Sequence, residues 1–482
     1  MKGSLTKATI TGSLWNYLTF GSGKTIVFIT TIVLARLLTP DDFGIVALSL
    51  LVITFLDRFR DFGVGEALVY HKGDIDLNSD VAFWISVIVS LLIAITAFFC
   101  APLVSEFFDE PRLMLVLKVF SLLFIINGLA NIHVARIKRE MKFERRFKAE
   151  SFRNIVKGVV GIGLALYGFG VWSLVWGQVS GATVAMITYW RSAKWRPRFR
   201  FSLSTAHVLS TYGGHIVLLG ALGVLLSRFD QLVIGHRLDA TQLGFYVLAF
   251  MIPDMIITNT CYVLSQALFP AYSKIRDDNK ALKSAYIKSL KLISLVIAPA
   301  AMGIFVIASE FVETFYSSKW LPAVPVVQVL VLGAMVGAMS FNLGDVYKAI
   351  GRPQILTKIA TARMFIELPL LWIVAPLGII YIATVLALAN LVRTIVQFYI
   401  ASRVLSLKIS SVVRAIRPAL YATVVMFICL YIVRYFIYDL SPPVRLLILV
   451  PTGVVIYLVN LYFGSRDTFN HVIHLFRSFR KA

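Results

Sequence analysis

Cysteine is nearly absent from this chain. The three present, Cys100, Cys261 and Cys429, fall inside apolar stretches and at no metal-ligand spacing. They offer neither a disulfide framework nor a zinc cluster. Charge is scarce as well, at 15% of residues against 58% hydrophobic. So few charges cannot cover a soluble core of this size. Acid is the scarcer sign, with 25 Asp and Glu against 47 Lys and Arg and a net charge of +22. A complete phosphate-binding loop is missing too. Gly21-Ser22-Gly23-Lys24-Thr25 resembles the end of one, but the position that must be the first glycine is Leu18. The stretch also sits inside an apolar run rather than after a strand, which argues against a nucleotide-driven pump. No short apolar core with a small-residue cleavage site opens the chain, so the first apolar stretch reads as a span and not as a signal peptide.

Long apolar runs are what the chain has. Fourteen occur, at about 12–37, 43–69, 80–103, 113–135, 153–168, 171–190, 209–236, 244–270, 288–308, 323–347, 356–375, 378–404, 417–438 and 444–463. Nearly all reach the length that crosses a hydrocarbon core of roughly 30 Å as a helix, the fifth being the weakest. A β-barrel is excluded, because its strands alternate over about ten residues instead of running solidly apolar. The expected class is an all-α integral membrane protein of about fourteen transmembrane helices.

The basic residues concentrate at the termini and in every second loop. The opposite loops hold Arg112, Arg237, Lys319 and Arg445. This asymmetry places both termini in the cytoplasm. It assigns the basic loops to topology and to contact with anionic headgroups, so membrane lipids are expected partners. No aromatic-interleaved basic groove points to nucleic acid.

Residues 11–68 align without a gap on 211–268, with identities at Leu18/Leu218, Gly23/Gly223, Val33/Val233, Leu38/Leu238, Gly44/Gly244, Leu48/Leu248 and Ala67/Ala267. A repeat at fixed offset describes architecture before any local reading does. An even number of spans separates the copies, so they enter the membrane from the same side. The expectation is two six-helix bundles related by a pseudo-twofold axis along the membrane normal, with the site between them. The boundaries read as a first lobe of spans 1–6 (1–190), a basic cytoplasmic linker (191–207), a second lobe of spans 7–12 (208–405), and spans 13 and 14 with a cytoplasmic tail (406–482). The tail interleaves Phe469, Val472, Ile473, Leu475, Phe476 and Phe479 with basic residues, as an amphipathic surface helix does.

An ionisable group near the bilayer centre costs ~2.5–3.5 kcal/mol on insertion scales, so it usually faces a cavity and works there. Lys24, Arg228 and Asp254 have no close partner on their own helices. Asp57, Arg58, Arg60 and Asp61 lie within one turn and partly neutralise one another, with Asp57 and Asp61 as structural ion-pair partners. Arg363 and Glu367 are an i,i+4 pair, and span 12 carries Asn390 and Arg393. Arg36, Lys157 and Arg434 lie near span ends, where snorkelling to the interface is expected. The cationic excess inside the spans suits an anionic substrate and fits a cationic drug poorly. Lys24, Arg58, Arg60, Arg228 and Arg363 are the candidate substrate contacts. Asp230, Asp254 and Glu367 are the candidate proton or sodium couplers. No cofactor and no metal centre is expected.

The stretch from Leu34 to Val69, LARLLTPDDFGIVALSLLVITFLDRFRDFGVGEALV, resembles the first two spans of bacterial polysaccharide flippases. These are the Wzx-type members of the multidrug/oligosaccharidyl-lipid/polysaccharide exporter superfamily. The resemblance covers the length, the fourteen spans and the two extra C-terminal spans. It implies a MATE-like pair of bundles that alternates between inward- and outward-open states. It implies a non-enzymatic transporter of the bacterial inner membrane that flips an undecaprenyl-pyrophosphate-linked oligosaccharide. O-antigen, capsule or exopolysaccharide synthesis would be the setting, with a polysaccharide polymerase and a chain-length regulator as neighbours. A multidrug antiporter using Asp254 as its coupling acid, a peptidoglycan-precursor flippase, and a non-transporting scaffold for the polymerase are the alternatives.

Overall fold

The computed structural model describes residues 21–60, 68, 74–200 and 202–464. Every regular element among them is helical, and helix occupies the described part of all fourteen apolar runs. Nine helical segments among the described residues are long and apolar enough to cross a membrane on length and composition alone. Many of the residues on their outer surfaces are large and apolar, with Phe99 72% and Leu447 75% exposed. An apolar surface of that extent is what a lipid solvent selects. The N-terminal stretch 1–20, Asp61 and the amphipathic tail lie outside the described residues.

The chain separates into two compact units, Met1–Gly244 and Phe245–Ala482. The first contains α1 (21–37), α2 (Pro40–Arg60), α3 (Ile75–Phe107), α4 (Pro111–Phe120), α5 (Leu122–Arg139), α6 (Phe143–Leu166), α7 (Val171–Ser192), α8 (Leu203–Arg237) and the start of α9 (Ala240–Pro253). The unit boundary falls well beyond the basic segment 191–207, because α8 packs against α2 and α3.

Local chemistry explains where these helices begin. Thr39 and Asp42 form a reciprocal cap: Thr39 Oγ1 donates to Asp42 Oδ2 at 2.8 Å and accepts from the Asp42 amide at 3.2 Å. Two hundred residues on, Asp239 Oδ1 accepts from the Gln242 amide at 2.7 Å. Each repeat therefore starts its second helix with a side-chain cap that satisfies free amides. Asp74 caps α3 through the amides of Asp76 and Leu77, and Glu110 with Pro111 opens α4. At the start of α6 the exposed Glu144 carboxyl is held below the usual carboxylate range by the Lys148 ammonium bonded to it.

Each of the paired glycines of the repeat meets the first residue of the other's helix. A Cβ added at Gly44 would lie 1.6 Å from the Ala240 carbonyl oxygen, and one added at Gly244 would lie 1.8 Å from that of Pro40. Pro40 and Ala240 are themselves repeat equivalents, so α2 and α9 cross in a reciprocal contact. Only a residue without Cβ allows backbones that close. The small residues of α7 act in the same way: a Cβ at Gly177 or Gly181 would meet the carbonyl oxygens of Lys157 and Arg153 on α6 at 2.8 and 2.7 Å.

The second unit continues α9 into a π-helical turn, Asp254–Thr258, followed by α10 (Asn259–Lys274), α11 (Asn279–Phe315), α12 (Val324–Phe341), α13 (Leu343–Ala349), α14 (Gln354–Val374), α15 (Ile379–Val404), α16 (Ile409–Phe436) and α17 (Pro442–Gly464). The last two helices are seated on α11 through a core of Leu295, Val306, Ala422, Met426, Leu449 and Tyr457. Tyr457 Oη donates to the Leu295 carbonyl at 2.9 Å. Glu310 completes the joint. It is 1% exposed and accepts from Arg434 Nε at 2.7 Å and Arg445 Nη1 at 3.3 Å. Arg434 thus does not snorkel to the interface as its position near a span end suggested; a buried carboxylate from another helix holds it.

Candidate functional site

Within the first unit the charged stretch of α2 divides by face. Arg60 is buried and donates through Nε to Asp57 Oδ1 at 2.6 Å and through Nη2 to Oδ2 at 3.4 Å. Its Nη1 is buried without an acceptor among the described residues. Arg58 points elsewhere: it is exposed, and its Cδ lies 3.4 Å from where a Cβ on Gly220 of α8 would stand. The glycine leaves room for the arginine stem. Arg228, further along α8, is exposed, whereas Asp230 is buried. Lys24 is half-buried on α1. Asp57 thus pairs with Arg60 of its own helix. The pairing expected of Asp61 lies outside the described residues.

The second unit holds a separate cluster. Arg363 and Glu367 of α14 pair through two hydrogen bonds, Nε to Oε2 and Nη2 to Oε1, the latter at 2.9 Å. Glu367 is buried. Arg393 of α15 comes within electrostatic reach of both. Its Nη2 would stand 2.8 Å from a Cβ at Gly337 of α12, with the Asn390 amide beside it, and its Nε is buried without an acceptor among the described residues. Gly337 therefore serves as a cradle for a guanidinium, while Gly333, one turn earlier, receives the Ala387 backbone at 2.7 Å. Two arginines against one glutamate leave the cluster cationic.

Asp254 opens the π-helical turn after Pro253, and this turn packs against α11 and α12. π-turns insert one extra residue into a helix and occur frequently at functional sites. Asp345 is also buried; it accepts from Ser265 Oγ and pairs with Lys348 at 3.4 Å. No group of His, Cys, Asp and Glu suited to a metal ion occurs among the described residues.

Two important residues had no role assigned from the sequence. Arg393 was visible as an intramembrane charge, but its neighbours Gly337 and Glu367 lie on other helices. Glu310 gave no signal: its partners are more than a hundred residues away, and no local spacing links them.

The helix lengths, the apolar outer surface and the buried charges define a multi-pass α-helical membrane protein. Its fold is that of known membrane transporters. The chain is similar to the lipid II flippase MurJ in its inward closed conformation, with a TM-score of 0.73 at 16% identity, covering 94% of this chain and 99% of that one. It is similar to a multidrug resistance MATE family transporter of the MOP superfamily in its inward-facing conformation, with a TM-score of 0.64 at 15% identity over 80% of this chain and 94% of that one. Residues 33–325 match the model of the polysaccharide biosynthesis protein family, and the chain belongs to that family. Among curated relatives it is 23% identical to the lipopolysaccharide biosynthesis protein WzxC of Escherichia coli, over 82% of this chain and 81% of that protein. It is 22% identical to the teichuronic acid biosynthesis protein TuaB of Bacillus subtilis, over 95% of this chain and 96% of that protein.

Proposed function

We propose that this protein is a flippase that carries an undecaprenyl-pyrophosphate-linked oligosaccharide from the cytoplasmic to the outer leaflet of the bacterial inner membrane by alternating access. Both termini are on the cytoplasmic side in this reading. Membership of the polysaccharide biosynthesis family supports the substrate class. One observation carries the chemistry: Arg60 Nη1 and Arg393 Nε, one in each candidate cluster, are buried N–H groups that the described residues leave without an acceptor; Arg445 Nε is a third, but its guanidinium is already engaged by Glu310. An unmet donor in the apolar phase is costly, and a pyrophosphate supplies the oxygens that meet it. Arginine suits this work because its planar fork matches phosphate geometry.

Lys24, Arg58, Arg60, Arg228 and Arg363 bind the anionic head in this reading, and Arg393 joins them. The oligosaccharide itself cannot cross hydrocarbon unaided, because each unpaired hydroxyl costs several kcal/mol. A wet path for the head with the lipid tail left in the bilayer removes that barrier. An inside-negative potential helps further, since an anion moving outward gains ~2.3 kcal/mol per charge per 100 mV. Asp230, Asp254 and Glu367 are the coupling acids, by proton or sodium. Of the three, Asp254 alone stands at a helix irregularity, the π-turn Asp254–Thr258, a feature frequent at functional sites. A polymerase and a chain-length regulator would receive the product.

Replacing Lys24 or Arg228 by Ala is expected to abolish surface-polymer export in cells that depend on this protein, with protein levels unchanged. Normal export by both variants would overturn the reading. Restored resistance to organic cations without polymer export would point to multidrug antiport. Lysis on depletion would point to a peptidoglycan precursor.

A further inference from the structure

The segment joining α7 to α8 is rich in cations, and its sequence reads as a free linker. The structure pins it in extended form on the first unit. The backbone of Arg198 is held at both of its polar groups: its amide donates to Asp80 Oδ1 at 3.0 Å, and its carbonyl accepts from Trp84 Nε1 at 3.0 Å. The Trp195 ring lies among Phe83 and His133, at 6.0 and 5.3 Å between centroids. The Arg136 guanidinium sits 5.2 Å over its face. Arg145 Nη1 donates to the Ser192 carbonyl at 2.5 Å and secures the upstream end.

This anchoring makes the side chains alternate from Ala193 to Arg198. Ala193, Trp195 and Pro197 are turned inward, and Lys194, Arg196, Arg198 and Arg200 are exposed. Arg196 folds back on the carbonyls of Ala193 and Trp195, at 2.6 and 2.9 Å. Arg200 approaches the buried Asp80 at 3.9 Å. Lys194 and the side chain of Arg198 have no partner among the described residues. The strap therefore presents a fixed row of cations with one acid beneath it. Phe199 stacks on Trp84 at 4.3 Å between centroids and is nonetheless 90% exposed. A bare phenylalanine is unfavourable in water. Paired with a tryptophan at the end of a span, it suits the headgroup–acyl boundary, where aromatic belts form.

We propose that residues 193–200 form a preorganised docking strap for the anionic phospholipid surface of the inner leaflet. Phe199 and Trp84 enter the headgroup–acyl boundary, and Lys194, Arg198 and Arg200 meet lipid phosphates. Basic segments near an anionic leaflet are attracted within a Debye length. Here the tertiary anchors remove the ordering cost that a loose linker would incur on binding. The strap uses the membrane orientation proposed above and nothing of the substrate.

Amide hydrogen exchange of the full-length protein in lipid nanodiscs tests this independently of transport, and the discs present both faces to solvent. Exchange at 194–200 is expected to slow several-fold in discs of equal parts phosphatidylglycerol and phosphatidylcholine relative to phosphatidylcholine alone. The double variant K194Q/R198Q loses only charges without a partner among the described residues and keeps Arg200, so it folds, and its difference between the two discs is expected to fall at least twofold. Equal exchange of the parent protein in both discs would overturn the proposal. So would a lipid difference undiminished in the variant. Protection by an isoprenyl pyrophosphate in phosphatidylcholine discs, without any from phosphatidylglycerol, would reassign the strap to substrate capture and overturn it as well.

Discussion

At the scale of single residues, a buried charge is meaningful only with its neighbours. Arg363 with Glu367 was readable as an i,i+4 pair, and Asp57 with Arg60 as an i,i+3 pair, because both lie within one helical turn. Arg393 was readable only as a charge. The glycine that admits it is Gly337 on another helix, and no spacing rule spans that distance. The structure adds that Arg393 keeps an N–H without an acceptor among the described residues. Arg393→Lys retains the charge and loses the fork. It is expected to cut flipping about tenfold or more, in line with the ~1.5–3 kcal/mol of a hydrogen bond to a charged group. Initial rates of lipid-linked sugar translocation check this. Glu367→Gln leaves Arg363 without its carboxylate and is expected to weaken ion coupling while binding of the anionic head persists.

Among elements, the strongest packing device is the reciprocal crossing of α2 and α9. The repeat offset made Gly44 and Gly244 equivalent in the sequence, but equivalence does not announce contact. The carbonyls of Ala240 and Pro40 supply the reason that neither position tolerates a Cβ. Gly44→Ala and Gly244→Ala are each expected to destabilise by ~1–3 kcal/mol, as overpacking does. Thermal unfolding of the purified protein in detergent reads this as a lowered midpoint. The joint of α16 and α17 to α11 depends on Glu310. Glu310→Gln breaks the pairing with Arg434 and Arg445 and is expected to cost about 3 kcal/mol, near the low end for a buried network because Arg434 is partly exposed. The triple change E310L/R434M/R445M is expected to recover most of that loss, since an apolar trio removes the desolvation penalty together with the charges. The apolar runs of the last two spans were legible, but their seat on α11 was not, because lipid-facing and helix-facing residues are equally apolar.

Across the whole molecule, composition was decisive. The apolar runs located the helices, although several helices extend well beyond their runs, as Phe143–Leu166 and Asn279–Phe315 do, and the break after Pro253 appeared as a π-turn that no sequence pattern distinguishes from an ordinary proline kink. The repeat offset marks which helices correspond, whereas packing marks which helices share a core, and α8 packs with α2 and α3 of the first unit. The charges follow neither rule. Lys24, Arg58 and Arg60 correspond by offset to Val224, Thr258 and Thr260, and Arg228, Asp230 and Asp254 to Phe28, Thr30 and Thr54. A repeated frame thus carries unrepeated charges, and the proposed function rests on them. Purified protein in liposomes containing a fluorescent undecaprenyl-pyrophosphate-linked oligosaccharide tests this most directly, through the fraction of label reached by an externally added quencher. The wild-type protein is predicted to equilibrate the label between leaflets, and Lys24→Ala and Arg228→Ala to leave it where it started. Equilibration by both variants, or none by the wild type, would contradict the proposed function.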